Sequence, residues 1–221
     1  MPDFVKILDI QRLTHDVKQF KVERPNGYEF VPGQATEVAI RKKGWEAEKR
    51  PFTFTSLPND PQLEFVIKSY PDHNGVTKAI DDLKVGEELI VDEPWGAIQY
   101  KGTGVFIAGG AGITPFIAIF KDLQKKGKLK GNKLIFANKT SKDVILEDWF
   151  RGLLGDDFIS ILDKEKKTGH QNGRVDKSFL EKHISDFSQE FYLCGPDPMI
   201  KAVSKSLEEL GANPEAIVFE K

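Results

Sequence analysis

The rhythm of hydrophobic and polar positions changes near residue 100. Before that point, short apolar runs alternate with polar residues and stop at turn signals. Leu63, Phe65 and Ile67 alternate with Glu64 and Lys68, the period of a half-buried strand. The same reading predicts strands at Lys6–Leu13, Val17–Glu23, Ala35–Ile40, Arg50–Thr55, Leu63–Tyr70 and Glu88–Glu93. Pro25-Asn26-Gly27, Pro32-Gly33, Pro58-Asn59-Asp60-Pro61 and Val85-Gly86 separate them with residues suited to turn dihedrals. Short strands at this spacing predict an antiparallel barrel or sandwich, interrupted by one helix over Val76–Leu83.

After Tyr100 the apolar runs become compact: Val105–Ala108, Leu134–Ala137, Phe158–Leu162 and Phe191–Cys194. Each is followed by a helical stretch, the pattern of a parallel sheet covered on both faces. Ile113, Phe116, Ile117, Phe120 and Leu123 keep the helical period, as do Met199, Ile200, Val203, Leu207 and Leu210. Gly211 stands where the last helix should end, and Ala216–Phe219 predicts a closing strand. The boundary falls at Lys101-Gly102, giving domains 1–101 and 102–221.

Composition removes whole classes of chemistry. The 221 residues carry 32 Lys+Arg and 34 Asp+Glu, a formal charge of −2, without the basic excess of a nucleic-acid binder. A single cysteine, Cys194, excludes a disulfide framework, a four-cysteine zinc site and a cysteine-ligated iron–sulfur cluster within the chain. His15, His73, His170 and His183 form no HExxH pair, and no metal site is expected. No run approaches the roughly 18 apolar residues of a membrane span. No signal peptide is visible, so the expected compartment is the cytoplasm.

Candidate chemistry gathers at a few segments. Val105-Phe106-Ile107-Ala108-Gly109-Gly110-Ala111-Gly112-Ile113-Thr114-Pro115 reads as a buried strand, a glycine turn and a helix start. Gly110-x-Gly112 resembles the start of a dinucleotide fingerprint, in which missing β-carbons admit a pyrophosphate. Thr114 suits an N-cap and Pro115 a first helical residue, aiming a helix N-terminus at the turn. Lys139, just past Leu134–Ala137, puts a cation where an NAD site would carry Asp or Glu, which favours a 2′-phosphate and NADPH. Lys164 and Arg174 add to that cluster. Cys194-Gly195-Pro196 ends the fourth apolar run, where ligands of parallel sheets collect, and glycine clears space for a planar ligand. No basic residue flanks Cys194, so it is not read as a nucleophile. In the barrel, alternation along Arg50-Pro51-Phe52-Thr53-Phe54-Thr55 places Arg50, Phe52 and Phe54 on one face and Thr53 on the other. Asn74-Gly75-Val76-Thr77 opens the barrel's helix as a second anion-binding terminus.

In this order the segments resemble the ferredoxin–NADP(H) reductase superfamily of flavoenzymes, over nearly the whole chain. Arg50-Pro51-Phe52-Thr53 resembles its Arg-x-Tyr-Ser/Thr flavin motif, with Phe for Tyr. Gly75-Val76-Thr77 resembles its Gly-x-x-Ser/Thr phosphate segment, one residue shorter. Gly109–Pro115 matches its Gly-Gly-x-Gly-Ile-Thr-Pro nucleotide loop, and Cys194-Gly195-Pro196 its nicotinamide-side motif. The resemblance implies a six-stranded antiparallel flavin barrel followed by a doubly wound α/β nucleotide domain. It implies FAD in preference to FMN, with NADPH or NADH as co-substrate. Thr53, Cys194 and Phe219 would meet the reacting rings. Arg50, Pro51, Phe52, Lys68, Gly75, Val76 and Thr77 would hold the flavin, with Arg50 on its phosphate. Gly109, Gly110, Gly112, Ile113, Thr114, Lys139, Lys164, Arg174, Gly195 and Pro196 would hold the nucleotide. Electrons would pass from a monomer to a separate ferredoxin- or flavodoxin-type protein or a small oxidant, with Lys121, Lys125, Lys126, Lys128, Lys130 and Lys133 as a docking run. An NADH-dependent flavin or ferric reductase, and a non-catalytic flavin- or nucleotide-binding subunit, are the alternatives.

Overall fold

The computed structural model describes residues 2–70, 75–96 and 98–219, so His73, Asn74, Glu220 and Lys221 lie outside the described residues. Contacts divide the chain into two units. The first is Met1–Gln99 with Thr114–Asp122, and the second is Tyr100–Ile113 with Leu123–Lys221.

The first unit holds strands β1 (Asp3–Arg12), β2 (Val17–Glu23), β3 (Ala35–Ile40), β4 (Arg50–Thr53) and β5 (Gln62–Lys68), helix α1 (Val76–Asp81) and strand β6 (Glu88–Val91). They form one antiparallel sheet in the order β4-β3-β6-β1-β2-β5. β1 serves both halves: Asp3–Lys6 pair with β6, while Ile7–Arg12 pair with β2 after a register shift between Ile7 and Asp9. Such a bulge bends a strand, which lets the sheet curl. The sheet's ends meet at a Phe54–Phe65 bridge, nearly closing a barrel. Inside lie Ile7, Val22, Val38, Leu63, Leu89 and Val91, all fully buried, around a ring stack of Phe30 on Phe54 at 4.3 Å. Val76 and Ile80 of α1 join this core. Lys18 donates to the Asp81 carbonyl and pairs with its carboxylate at 3.2 Å, fixing the helix's C-terminal end.

The bounds of β1, β5, β6 and α1 shift by one to three residues from the sequence pattern, and two departures have a clear physical cause. β4 stops at Thr53, not Thr55, because the chain crosses from one neighbour to the other. The Phe54 N–H donates to the Gln34 carbonyl at 3.0 Å and the Thr55 N–H to the Glu64 carbonyl at 2.8 Å. β5 is also not half-buried, since Glu64 and Val66 of its polar-facing set are covered as well. Helix α2 (Thr114–Lys125) supplies a partner for Glu64. Lys121 Nζ donates to Glu64 Oε1 and to the Thr55 carbonyl, each at 2.7 Å, and Thr55 Oγ1 donates to the same carboxylate at 2.8 Å. The carboxylate is thus buried with its hydrogen bonds made.

The second unit contains β7 (Gly104–Gly109), β8 (Lys133–Asn138), α3 (Glu147–Leu154), β9 (Phe158–Leu162), β10 (Gln171–Asn172), α4 (Lys177–His183), β11 (Glu190–Cys194), α5 (Asp197–Glu209) and β12 (Ile217–Phe219). All six strands are parallel, in the order β10-β9-β8-β7-β11-β12. β7 is buried at every residue, as a strand covered on both faces must be. The exposed Gln171–Asn172 pair has no apolar signal and escapes pattern reading. Gly211 follows α5 at φ +96, the left-handed conformation that glycine adopts without penalty. At the entry to this unit, Tyr192 Oη accepts from the Lys101 and Gly102 amides at 2.9 Å and donates to the Gly102 carbonyl at 2.8 Å. Its ring stacks on Phe106 at 4.3 Å, and burial pushes the phenol pKa up. Among the described residues no helix is long and apolar enough to cross a membrane.

The Lys121→Met variant should lose about 2 kcal/mol of stability, below the buried-pair range because the Lys121 side chain is 28% exposed. Adding Glu64→Gln should recover most of that loss, and urea unfolding of single and double variants measures both. A Lys121→Met variant as stable as the parent would show that Glu64 does not need its cation.

Candidate active site

The strand order of the second unit defines its crevice. From β7 the chain builds outward through β8 and β9, then returns to β7's other flank as β11. A parallel sheet binds ligands outside the carboxyl ends of its strands at such a reversal. The loop after β7 is Gly110–Ile113, and the loop after β11 is Gly195-Pro196.

These two loops are locked together by missing side chains. A Cβ on Gly112 would lie 2.3 Å from the Cys194 carbonyl oxygen and 2.6 Å from the Gly195 nitrogen. A Cβ on Gly109 would meet Met199 Sδ at 2.5 Å and Pro196 Cδ at 3.0 Å, and one on Gly195 would meet the Gly109 backbone at 3.0 Å. Three of the expected ligand-clearing glycines therefore make room for one another. Gly110 differs: its φ is +53 and nothing lies within 4 Å of its Cβ position, so open space faces this residue. Thr114 is not an N-cap followed by helix at Pro115. Gly110–Ile113 forms a 3₁₀ turn that runs into α2, whose first residue is Thr114. The helical N-terminus, with its outward N–H groups, consequently moves to Gly110. Ile113 is fully buried and contributes packing. Cys194 ends β11 partly exposed, and Phe219 ends β12 opposite Leu193, partly buried against the sheet's core.

The carboxyl ends of β8 and β9 hold two polar side chains that the motif reading passed over. Asn138 is 8% exposed, one step beyond the pairing of Ala137 with Gly109, and neither its Nδ2 nor its Oδ1 has a hydrogen-bond partner among the described residues. Asp163 follows β9, and its buried Oδ1 is unpartnered as well. Leaving a buried amide unmade costs about 1–3 kcal/mol, so such groups in a loop cluster point to a ligand that completes them. The signal in the sequence was simple: each is the polar residue that stops an apolar run. Lys139 and Lys164 are exposed and joined through their backbones, the Lys164 N–H donating to the Lys139 carbonyl at 2.9 Å. Arg174 lies 3.9 Å from the Asp163 carboxylate with 79% of its side chain exposed. The three predicted cations thus gather at this edge. The Ser141 N–H donates to Glu165 Oε2 at 2.6 Å, tying the two loops, and this bond together with the Ser141 hydroxyl holds the Glu165 carboxyl below its usual range.

In the barrel unit, Arg50–Thr53 pair with β3 on one side only, leaving an open edge interrupted by Pro51, which has no N–H to offer. Phe52 pairs with Thr36 and packs on the barrel core, while Thr53 pairs with Ala35 on the opposite face. Alternation is therefore retained, and β4 ends at Thr53 without a bulge. The Arg50 side chain is 51% exposed, and among the described residues its guanidinium meets the Lys49 carbonyl at 2.6 Å and Glu48 at 3.8 Å, which leaves it accessible to an anion. Lys68 is already committed to Asp16 at 2.9 Å. Val76 is 2% exposed as a whole residue and packs within the barrel core. Gly75 caps α1 without a side-chain bond, and among the described residues no acceptor takes the Val76 and Thr77 amides. The lysine run is dispersed. Lys121 is bound to Glu64 and Lys133 to the His183 carbonyl, and Lys125–Lys130 lead into the amino end of β8, the sheet edge opposite Gly110 and Cys194.

Two family models match successive stretches of the chain. The family model for the oxidoreductase FAD-binding domain matches residues 5–100, and that for the oxidoreductase NAD-binding domain matches residues 106–205. NADH–cytochrome b5 reductase 1 of Arabidopsis thaliana is 30% identical over 95% of this chain and 80% of its own length. The reductase component of propane 2-monooxygenase from Rhodococcus jostii (strain RHA1) is 28% identical over 98% of the chain, which spans 62% of that relative. A ferredoxin NADP+ reductase from Neisseria gonorrhoeae, solved with bound FAD and NADP, shares the fold at a TM-score of 0.86 and 20% identity, covering 99% of this chain and 98% of that one. The chain belongs to the ferredoxin–NADP(H) reductase-like family of NAD(P)H–flavin oxidoreductases.

Replacing Gly112 by Ala should destabilise the protein by about 3 kcal/mol or more, because backbone atoms of Cys194 and Gly195 occupy the Cβ position. Gly110→Ala should cost only about 1 kcal/mol, the left-handed penalty. Equal losses in urea unfolding would contradict the interlock.

Proposed function

We propose that the chain is a FAD-dependent reductase that draws hydride from NADH in preference to NADPH and delivers electrons to a separate one-electron carrier protein. Residues 1–101 would hold the flavin and residues 102–221 the nucleotide. The observation that carries the reading is the carboxyl edge of the parallel sheet. There the interlocked loops stand beside the buried Asn138 amide and the partly exposed Asp163 carboxylate, whose Oδ1 is buried without a partner among the described residues.

The preference for NADH rests on Asp163. The sequence pattern favours NADPH through Lys139, yet Lys139 is solvated at the edge. A carboxylate with one buried, unpartnered oxygen suits a ribose hydroxyl and repels a phosphate.

A bound flavin would supply acceptance of an electron pair as hydride and release of electrons one at a time. The chain's residues bind and orient. Gly110 gives the pyrophosphate an approach to the helical N-terminus, and Gly195 with Cys194 borders the nicotinamide. Arg50 neutralises the flavin phosphate, assisted by the Val76 and Thr77 amides. Phe52 offers an apolar contact and Thr53 a hydroxyl to the flavin ring. Neither triad nor carboxylate dyad is required, because hydride transfer depends on positioning and exclusion of water.

Protein reconstituted with FAD should be yellow, and one equivalent of anaerobic NADH should bleach it. Asp163→Asn should narrow the NADH-over-NADPH ratio of kcat/KM about tenfold or more by removing the repulsive charge. A ratio unchanged by that substitution would remove Asp163 from the nucleotide site. Yellow protein that neither nucleotide bleaches would favour a binding subunit, and protein that takes up no flavin would overturn the reading.

A further inference from the structure

We propose that His170 and Asn172 are positioning residues that hold Asp163 in the orientation that selects the nucleotide, an inference that rests on the NADH reading above. Residues 163–169 contain no apolar side chain, so hydrophobic burial cannot place this segment. It leaves β9 after Leu162 and returns at once beside the same strand, where β10 pairs Gln171 with Ile161 and Asn172 with Leu162. A compact loop with adjacent ends takes its position from the bonds made at those ends.

Asn172 holds the start of the loop. Its Nδ2 donates to the Leu162 carbonyl at 3.1 Å and to the Glu165 carbonyl at 3.0 Å, one on each side of Asp163. The Gly173 N–H adds a bond to the Leu162 carbonyl at 2.9 Å, and the Asp163 N–H donates to the Asn138 carbonyl at 3.1 Å. The backbone is thereby fixed around a carboxylate whose Oδ1 is buried without a partner among the described residues.

His170 holds the loop's end, with its side chain only 4% exposed. By alternation Phe158, Ser160 and Leu162 share one face of β9, and α3 covers it, Phe150 stacking on Phe158 at 5.8 Å. Ser160 therefore carries a buried hydroxyl in an apolar run. His170 Nδ1 lies 2.9 Å from Ser160 Oγ, and its Nε2 lies 3.4 Å from Glu147 Oε1. A carboxylate only accepts, so the ring proton belongs on Nε2 and Nδ1 accepts from the serine hydroxyl. Arg151 completes the grip, its Nε donating to Glu147 Oε1 at 2.7 Å and its Nη2 to the Gly169 carbonyl at 2.8 Å. One ion pair of α3 thus holds both Gly169 and His170. A group that reads a ligand needs such support, because about 1 Å of misplacement can cost about 10²-fold.

The test measures NAD+ and NADP+ binding to oxidised, FAD-loaded protein by calorimetry, with urea unfolding to check that each variant folds. His170→Phe removes both bonds of the buried ring, and Asn172→Ala breaks the other clamp at an exposed position. Each should narrow the NAD+-over-NADP+ affinity ratio about fivefold or more. Each should also raise the KM for NADH while kcat stays within about twofold of the parent. In an Asp163→Asn background neither substitution should change the ratio further, because both act through that carboxylate. A ratio unchanged in Asn172→Ala and in folded His170→Phe would overturn the proposal, as would equal narrowing with and without Asp163. If Asp163→Asn alone leaves the ratio at the parent value, the nucleotide role of Asp163 fails, and the proposal falls with it.

Discussion

Gly109, Gly112 and Gly195 let the loops after β7 and β11 pass within backbone contact, and the nucleotide unit is organised around that approach. Parallel pairing brings β11 beside β7 in register from Glu190–Gly104 to Cys194–Ala108, so both loops leave the sheet at the same height. A side chain at Gly112 would have to occupy the space of the Cys194 carbonyl. With all three glycines in place, the 3₁₀ turn at Gly110–Ile113 sits against β11's end. The two loops at the strand reversal thus meet largely backbone to backbone, with Met199 and Pro196 packed against Gly109.

The barrel unit solves a different problem, that of leaving one strand edge uncovered without unravelling. β4 pairs only with β3 along Arg50–Thr53, then crosses to β5 through Phe54 and Thr55. Phe54 anchors that crossing in the aromatic core, and the Thr55–Glu64–Lys121 network holds it from outside. The open segment is consequently short, flanked by fixed points, and interrupted by proline. The family models place a FAD-binding domain over residues 5–100 and an NAD-binding domain over residues 106–205.

Much of this was legible in the amino-acid pattern, and the exceptions have physical causes. Strands Val17–Glu23, Ala35–Ile40 and Phe158–Leu162 match the structure at both ends because apolar periodicity and turn residues agree there. The end of β4 was hidden because Phe54 continues the alternation while its N–H changes partner, which is a tertiary event. Burial of Glu64 likewise depends on Lys121, 57 residues away. The glycine motif identified the correct loop but not the reason for most of its glycines, since their neighbours come from Cys194–Met199. Asn138 and Asp163 were missed because partnerless burial is a property of the folded surroundings, whereas a lysine next door is visible in any sequence.

The central claim is that the carboxyl edge of the parallel sheet holds polar groups unsatisfied until a nucleotide arrives. Asn138→Leu tests it most directly, by urea unfolding and by NADH binding to the FAD-loaded protein. Removing an orphaned buried amide should raise the nucleotide-free protein's stability by about 1 kcal/mol, while weakening NADH binding about tenfold. A variant that loses stability and binds NADH as tightly as the parent would contradict the account.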